Sequence, residues 1–216
     1  MDRLDFLKWV EDHRPQGRVR SFKRQHTLLL QGDIGQTLNV ILTGEVAAMA
    51  LTESGEEIWL ATYGPGDLIG QLSTLSNRPA IAQLVATKKT SVLEFSRSYI
   101  EASLADDAAL SPLLFAILTD DFEALAQSYI KALTLSIKGR VCSELIKRAT
   151  PLPGEEGQYV IRPAPVISRL ADRLNTRRET VSRAVGELVE EGLLLRRPGA
   201  MQVTSLPRLK RLVTLR

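Results

Sequence analysis

Arg177, Arg178, Glu179, Ser182 and Arg183 fall close together in the stretch Leu170–Val185, LADRLNTRRETVSRAV. A guanidinium fork matches the two acceptors of guanine, a carboxylate accepts from the cytosine amino group, and a hydroxyl serves either role. Carried on the first two turns of one helix, such a set reads base edges in the major groove. Spacing supports that placement. Val181, Val185, Leu188 and Val189 form an apolar stripe, and the polar cluster lies mostly away from it. A solvated helix face with i,i+4 charge pairing is the plainer alternative.

The flanking residues supply what such a helix needs. Val166, Leu170 and Leu174 follow helical spacing and predict a short first helix. Asn175 tolerates the left-handed backbone of a tight turn. Thr176 and Glu179 have the T-x-x-E spacing of a capping box, which predicts a fresh helix start. Turn, cap and polar cluster coincide, so the segment reads as a helix-turn-helix that binds double-stranded DNA. Beyond Gly192, Leu193–Arg197 and Met201–Thr204 flank the turn Pro198-Gly199-Ala200 and predict a β-hairpin wing. Arg178, Glu179, Ser182 and Arg183 are the expected base readers. Thr176, Arg177, Arg196 and Arg197 are the expected phosphate contacts.

Charge is distributed accordingly. Residues 1–135 carry 12 Lys+Arg against 17 Asp+Glu, a net of −5, whereas residues 136–216 carry 16 against 8, a net of +8. A basic C-terminal third beside an acidic remainder fits a nucleic-acid-binding module joined to something else. Cys142 is the one cysteine, so an internal disulfide and a cysteine-held iron–sulfur cluster are both excluded. Only His13, His26, Cys142 or a methionine could ligate haem, and two histidines do not make a metal cluster. No nucleophile–base pair or phosphate-binding glycine loop stands out, so an enzyme is not expected, nor is a cofactor or metal. No apolar run reaches membrane-spanning length and the N-terminus lacks a signal-peptide core, which predicts a cytoplasmic protein without membrane contact.

Residues 4–14 read as a short amphipathic helix. Between Arg18 and Phe95, the short apolar runs Thr27–Leu30, Leu38–Leu42, Val46–Leu51, Ile58–Tyr63, Gln83–Val85 and Ser91–Phe95 alternate with turn clusters. Those clusters include Gly32-Asp33, Thr43-Gly44-Glu45 and Gly64-Pro65-Gly66-Asp67. This pattern predicts an antiparallel sandwich or barrel. Helical pattern then takes over in 97–105 and 111–134. In the longer segment Phe115, Leu118, Phe122, Leu125 and Tyr129 recur at spacings of 3, 4, 3 and 4, an a/d seam that predicts a parallel homodimer. A second helix, Ile137–Ala149, follows, with Ser136–Gly139 as a candidate flexible joint, and 158–162 could form a short strand.

This order resembles the CRP/FNR superfamily of bacterial transcription regulators over roughly residues 15–210. The most specific match is Arg178-Glu179-Thr180-Val181-Ser182-Arg183, together with the ordered turns Gly32-Asp33, Gly44-Glu45 and Gly64-Pro65-Gly66-Asp67-Leu68-Ile69-Gly70. The resemblance implies an α+β fold. A double-stranded β-helix sensor, the cyclic-nucleotide-binding-like β-roll, would span residues 1–110, a central dimerisation helix 111–135, and a winged helix-turn-helix 136–216. It also implies an inverted-repeat operator with TGA-containing half-sites, and RNA polymerase as a partner.

The same resemblance locates an effector pocket, and there the chain departs from the pattern. Cyclic-nucleotide-binding members carry G-E-L and then R-S-A, whose Glu takes the ribose and whose Arg takes the cyclic phosphate. Here the positions are Gly70-Gln71-Leu72 and Ala80-Ile81-Ala82. Arg78 could serve as a displaced phosphate ligand in a cyclic-nucleotide-gated alternative. The family's purine-contacting Thr-Ser pair falls near Leu125-Ala126, with Gln127 and Ser128 the nearest polar residues. Loss of a charge-assisted contact predicts no tight cyclic AMP binding and leaves another small-molecule effector, or none. A ligand-binding or protein-interaction module without DNA binding is the alternative of a different class.

Overall fold

Turn clusters and short apolar runs produce the antiparallel pairing expected of them. The computed structural model describes residues 3–152, 154 and 157–213. It divides into two compact units with the boundary between Leu125 and Ala126.

In the first unit, β1 (Arg18–Phe22), β2 (Thr27–Leu29), β3 (Thr37–Thr43), β4 (Val46–Leu51), β5 (Glu57–Tyr63), β6 (Leu68–Ile69), β7 (Gln83–Ala86) and β8 (Thr90–Ser96) form two four-stranded sheets. Their orders are β1-β8-β3-β6 and β2-β7-β4-β5, and every pairing is antiparallel. Ile41, Ile69 and Val92 from the first sheet share one apolar cluster with Val46, Ala48, Leu84 and Ala86 from the second. The first sheet's other face, through Leu38, Val40, Leu93 and Phe95, packs on helices α1 (Arg3–Asp12), α3 (Arg97–Asp106) and α4 (Leu110–Thr134). With both faces covered, β3 buries four successive residues, Leu38–Ile41, rather than alternating strictly.

Gly44 shows how tight the β3–β4 turn is. Its φ is +95°, and a Cβ there would stand 2.4 Å from both the Lys89 carbonyl and Thr90 Oγ1. Short helix α2 (Gln71–Ser76) follows β6. Neither β1, β6 nor α2 is among the elements expected from the sequence.

The second unit contains the C-terminal part of α4 and helix α5 (Ile137–Ile146). Strands β9 (Thr150–Pro151) and β10 (Tyr159–Ile161) follow, then α6 (Ile167–Arg173) and α7 (Arg178–Glu190). Strands β11 (Leu194–Arg197) and β12 (Ala200–Val203) and helix α8 (Leu206–Arg211) complete it. The strands form an antiparallel sheet of order β11-β12-β10-β9. One core joins Val141, Cys142 and Leu145 of α5 to Leu170 of α6, Val181, Val185 and Leu188 of α7, Met201 and Val203 of the wing and Leu209 of α8.

Two local expectations need correction. Asn175 has the expected left-handed backbone, φ 47°, but α7 begins after Arg177, which takes the N-cap without a side-chain cap bond. The Thr176–Glu179 capping box therefore does not form. The Thr176 amide instead closes α6 by donating to the Ala171 carbonyl at 3.1 Å. The joint before α5 is also shorter than Ser136–Gly139. Only Leu135 and Ser136 are non-helical, and Ser136 Oγ accepts from the Gly139 amide as N-cap. Gly139 packs rather than flexes, since a Cβ there would stand 2.8 Å from the Leu212 carbonyl.

Candidate nucleic-acid interface

Helix α7 is two-faced. Val181, Ala184, Val185 and Leu188 are buried, whereas Arg178, Glu179, Ser182 and Arg183 are exposed, as is the N-cap Arg177. Among the described residues none of Arg177, Arg178, Glu179 and Arg183 makes an ion pair, so the i,i+4 alternative for Glu179 and Arg183 is not realised. Two lysines of the same unit are committed: Lys138 binds Glu187 and Glu191, and Lys147 binds Glu144. The polar N-terminal face of α7 thus remains available to a ligand.

The wing forms as expected, with Arg196 opposite Met201 and Arg197 opposite Ala200. Both arginines are exposed. Arg197 Nε also donates to Gln202 Oε1 at 2.9 Å, which fixes it along the hairpin, and Gln202 Nε2 donates to Gln158 Oε1. Thr176 is half-buried beside the turn.

Sequence reasoning missed the residues that hold this face in place. Lys138 Nζ lies 3.2 Å from Glu187 Oε2 and 2.5 Å from Glu191 Oε1, at the far end of α7. The hydrogen bond to Glu191 is the main reason its pKa is raised. Arg140 Nη2 donates to the Leu174 carbonyl, the C-cap of α6, and burial lowers its pKa. Both bonds join residues far apart in the chain, so no local spacing announces them.

The residues expected at the effector pocket divide between the units. Gly70, with φ +84°, caps α2, and Gln71 behind it is buried. Gln71 Nε2 donates to Asp121 Oδ2 of α4 at 2.6 Å. Tyr63 belongs with this pair: burial foremost, and then the Asp121 charge, push its pKa up to about 12. Neither Tyr63 nor Asp121 is in the expected set. Leu72 and Ile81 are exposed, at 59% and 68%, while Ala80 and Ala82 are buried. The Ala80 amide and carbonyl pair with Asp33 and Gly32 at 2.8 Å each. Arg78 is exposed. Leu125 is half-exposed, and Gln127 and Ser128 are exposed in the second unit.

Along α4, Phe115, Phe122, Leu125 and Tyr129 of the expected seam are 72%, 70%, 50% and 65% exposed, with Leu118 half-buried. At the start of the helix Leu110, Leu113 and Leu114 insert into the first unit's core. Among the described residues, no single helix is long and apolar enough to cross a membrane.

Comparison with known proteins agrees with this architecture. A cyclic nucleotide-binding domain family matches residues 19–107, and a Crp-like helix-turn-helix domain family matches residues 139–212. The chain is 30% identical to the cyclic AMP receptor protein of Thermus thermophilus over 85% of its own length and 82% of that protein's. A solved CRP/FNR-family transcriptional regulator from the same organism superposes with a TM-score of 0.70 at 24% identity, covering 91% of this chain and 98% of that one. FixK2 from Bradyrhizobium japonicum does so with a TM-score of 0.77 at 21% identity, covering 93% and 98%. With a β-roll followed by a long helix and a winged helix-turn-helix, and with a relative this similar over most of both chains, this protein belongs to the CRP/FNR family of transcription regulators.

Proposed function

We propose that the protein acts as a cytoplasmic homodimer that reads an inverted-repeat operator with TGA-containing half-sites and works with RNA polymerase. The observation that carries this reading is the N-terminal face of α7, where Arg178, Glu179, Ser182 and Arg183 are exposed and the three charged side chains make no ion pair among the described residues. Arg177, Thr176, Arg196 and Arg197 supply phosphate contacts on either side. Dimerisation through the exposed α4 seam presents two such faces, one to each half-site, roughly one helical turn apart.

The signal is something other than cyclic AMP, or no ligand is needed. The Thermus thermophilus relative is described as a cyclic AMP receptor. This chain offers an anion no cation at Ala80 and no hydroxyl at Ile81, and the Gln71 amide already binds the Asp121 carboxylate. Each hydrogen bond to a charged group is worth about 1.5–3 kcal/mol, so the missing contacts weaken cyclic phosphate binding steeply.

The test is binding of purified, ligand-free protein to a palindromic TGA-containing duplex and to a scrambled control, with and without cyclic AMP and cyclic GMP. Selective binding unaffected by nucleotide is expected. Replacing Arg178 or Arg183 with Ala should each cost about 1–3 kcal/mol of discrimination. Selectivity appearing only with nucleotide would overturn the effector reading and point to Arg78 as a phosphate ligand. Selectivity untouched by both Ala variants would overturn the base-reading assignment.

A further inference from the structure

Three consecutive residues in the first turn of α5 touch three different neighbours. Lys138 holds Glu187 in the last turn of α7 and Glu191 at its C-cap. Gly139 backs onto the Leu212 carbonyl at the end of α8, too closely for any side chain to fit unmoved. Arg140 reaches the Leu174 carbonyl, immediately before Asn175 in the turn that launches α7. On a helix, successive side chains point about 100° apart, so one turn can engage partners around much of its circumference.

We propose that Lys138 and Arg140 are positioning residues for DNA reading, fixing α7 from both ends so that its exposed N-terminal face meets the bases in a single orientation. The inference rests on the base-reading assignment made above. The buried stripe Val181, Ala184, Val185 and Leu188 holds one face of α7 in the core, and the two polar ties act at its ends. Arg140 fixes the entry to the helix and Lys138 its exit, with the thirteen residues Arg178–Glu190 held between. Arginine suits the turn because its planar fork can donate to a carbonyl while its stem stays half-buried. Lysine suits the pair of glutamates because its three donors can serve two carboxylates at once. Neither residue is exposed on the face that would meet DNA bases, so neither has to touch the operator to affect selectivity.

The experiment measures, for the full chain, affinity for the duplex that wild type recovers best from a random pool and for a scrambled duplex at the same salt. Variants are Lys138→Gln, Arg140→Lys, the conservative Lys138→Arg, and Arg178→Ala as the base-reading reference. Thermal midpoints are recorded for each. Lys138→Gln and Arg140→Lys should each lower the operator-to-scrambled ratio about tenfold, because small misplacements of a reading group are costly. Scrambled-duplex affinity and its salt slope should stay as in wild type, since the phosphate-contacting charges are untouched. Lys138→Arg should restore the ratio. A merely structural role would lower both affinities in step with the thermal midpoint, and that result overturns the proposal. So does an unchanged ratio in Lys138→Gln and Arg140→Lys, whatever Arg178→Ala does. A ratio lost in those two but kept in Arg178→Ala would overturn the base-reading assignment, and the positioning role that rests on it falls with it.

Discussion

Phe122 gives the most direct test of the proposed homodimer. Its ring is 70% exposed in the middle of the α4 seam, between Phe115 and Tyr129 at 72% and 65%. Fully burying a phenylalanine is worth about 1.5–3 kcal/mol, so covering the exposed two-thirds is worth about 1–2 kcal/mol per copy. A two-fold interface counts the residue twice, and Phe122→Ala should therefore cost about 2–4 kcal/mol of dimer stability. That weakens self-association roughly 30- to 1,000-fold. Alanine is the better helix former, so α4 itself should not unravel. Sedimentation equilibrium at several loading concentrations would read the dissociation constant, and circular dichroism would confirm retained helix. Glu123→Ala, at the exposed neighbouring position, is the control and should change little. A Phe122→Ala protein that dimerises as tightly as wild type would refute the seam.

Other expectations follow from buried groups and crowded turns. Gly44→Ala and Gly55→Ala both place an L side chain at positive φ, costing about 1–2 kcal/mol. Gly44 alone is also crowded by Lys89 and Thr90, whereas a Cβ at Gly55 meets nothing within 4 Å, so Gly44→Ala should lose about 1–3 kcal/mol more in urea unfolding. Tyr63, raised from 10 to about 12, favours its protonated form in the fold; the stability this gives is complete below pH 10 and lost as pH climbs through about 12. Tyr63→Phe should remove that alkaline loss, and Asp121→Asn should shift the phenol's absorbance titration to lower pH. Burial pushes the Cys142 thiol up to about 11, so a disulfide reagent at neutral pH should modify it only after unfolding.

Elements governed by local pattern were the most legible in the sequence. The residues that space strands with turn clusters placed β3, β4, β5, β7 and β8 to within a residue or two, and the polar face of α7 stood out because its apolar stripe is regular. Strand β1 was hidden because Arg18-Val19-Arg20-Ser21 is polar and exposed, and only pairing with β8 makes it a strand. Strand β6 has two residues, too few to show any period. At the start of α7, Thr176 and Glu179 had the spacing of a cap, yet the geometry of the turn moved the helix start past Arg177. The contacts Gln71–Asp121, Arg140–Leu174 and Lys138–Glu191 join residues 50, 34 and 53 apart. Periodicity cannot register such distant partners, so the Gln71–Asp121 contact in the candidate effector region was not legible.

Every outer strand of the first unit's two sheets is poorly suited to recruiting another strand. Strand β1 carries Arg18 and Arg20 on an exposed edge, and β6 is only two residues long. On the other sheet β2 has three residues and an irregular register, and β5 begins at an exposed glutamate and is bulged against β4. Charge, brevity and bulges are the usual means by which sheet proteins avoid edge-to-edge aggregation. Crowding many copies together, as in overexpression or concentration for crystallisation, should therefore not seed amyloid-like stacking through these sheets, and the homodimer proposed through α4 would form without competition from their edges.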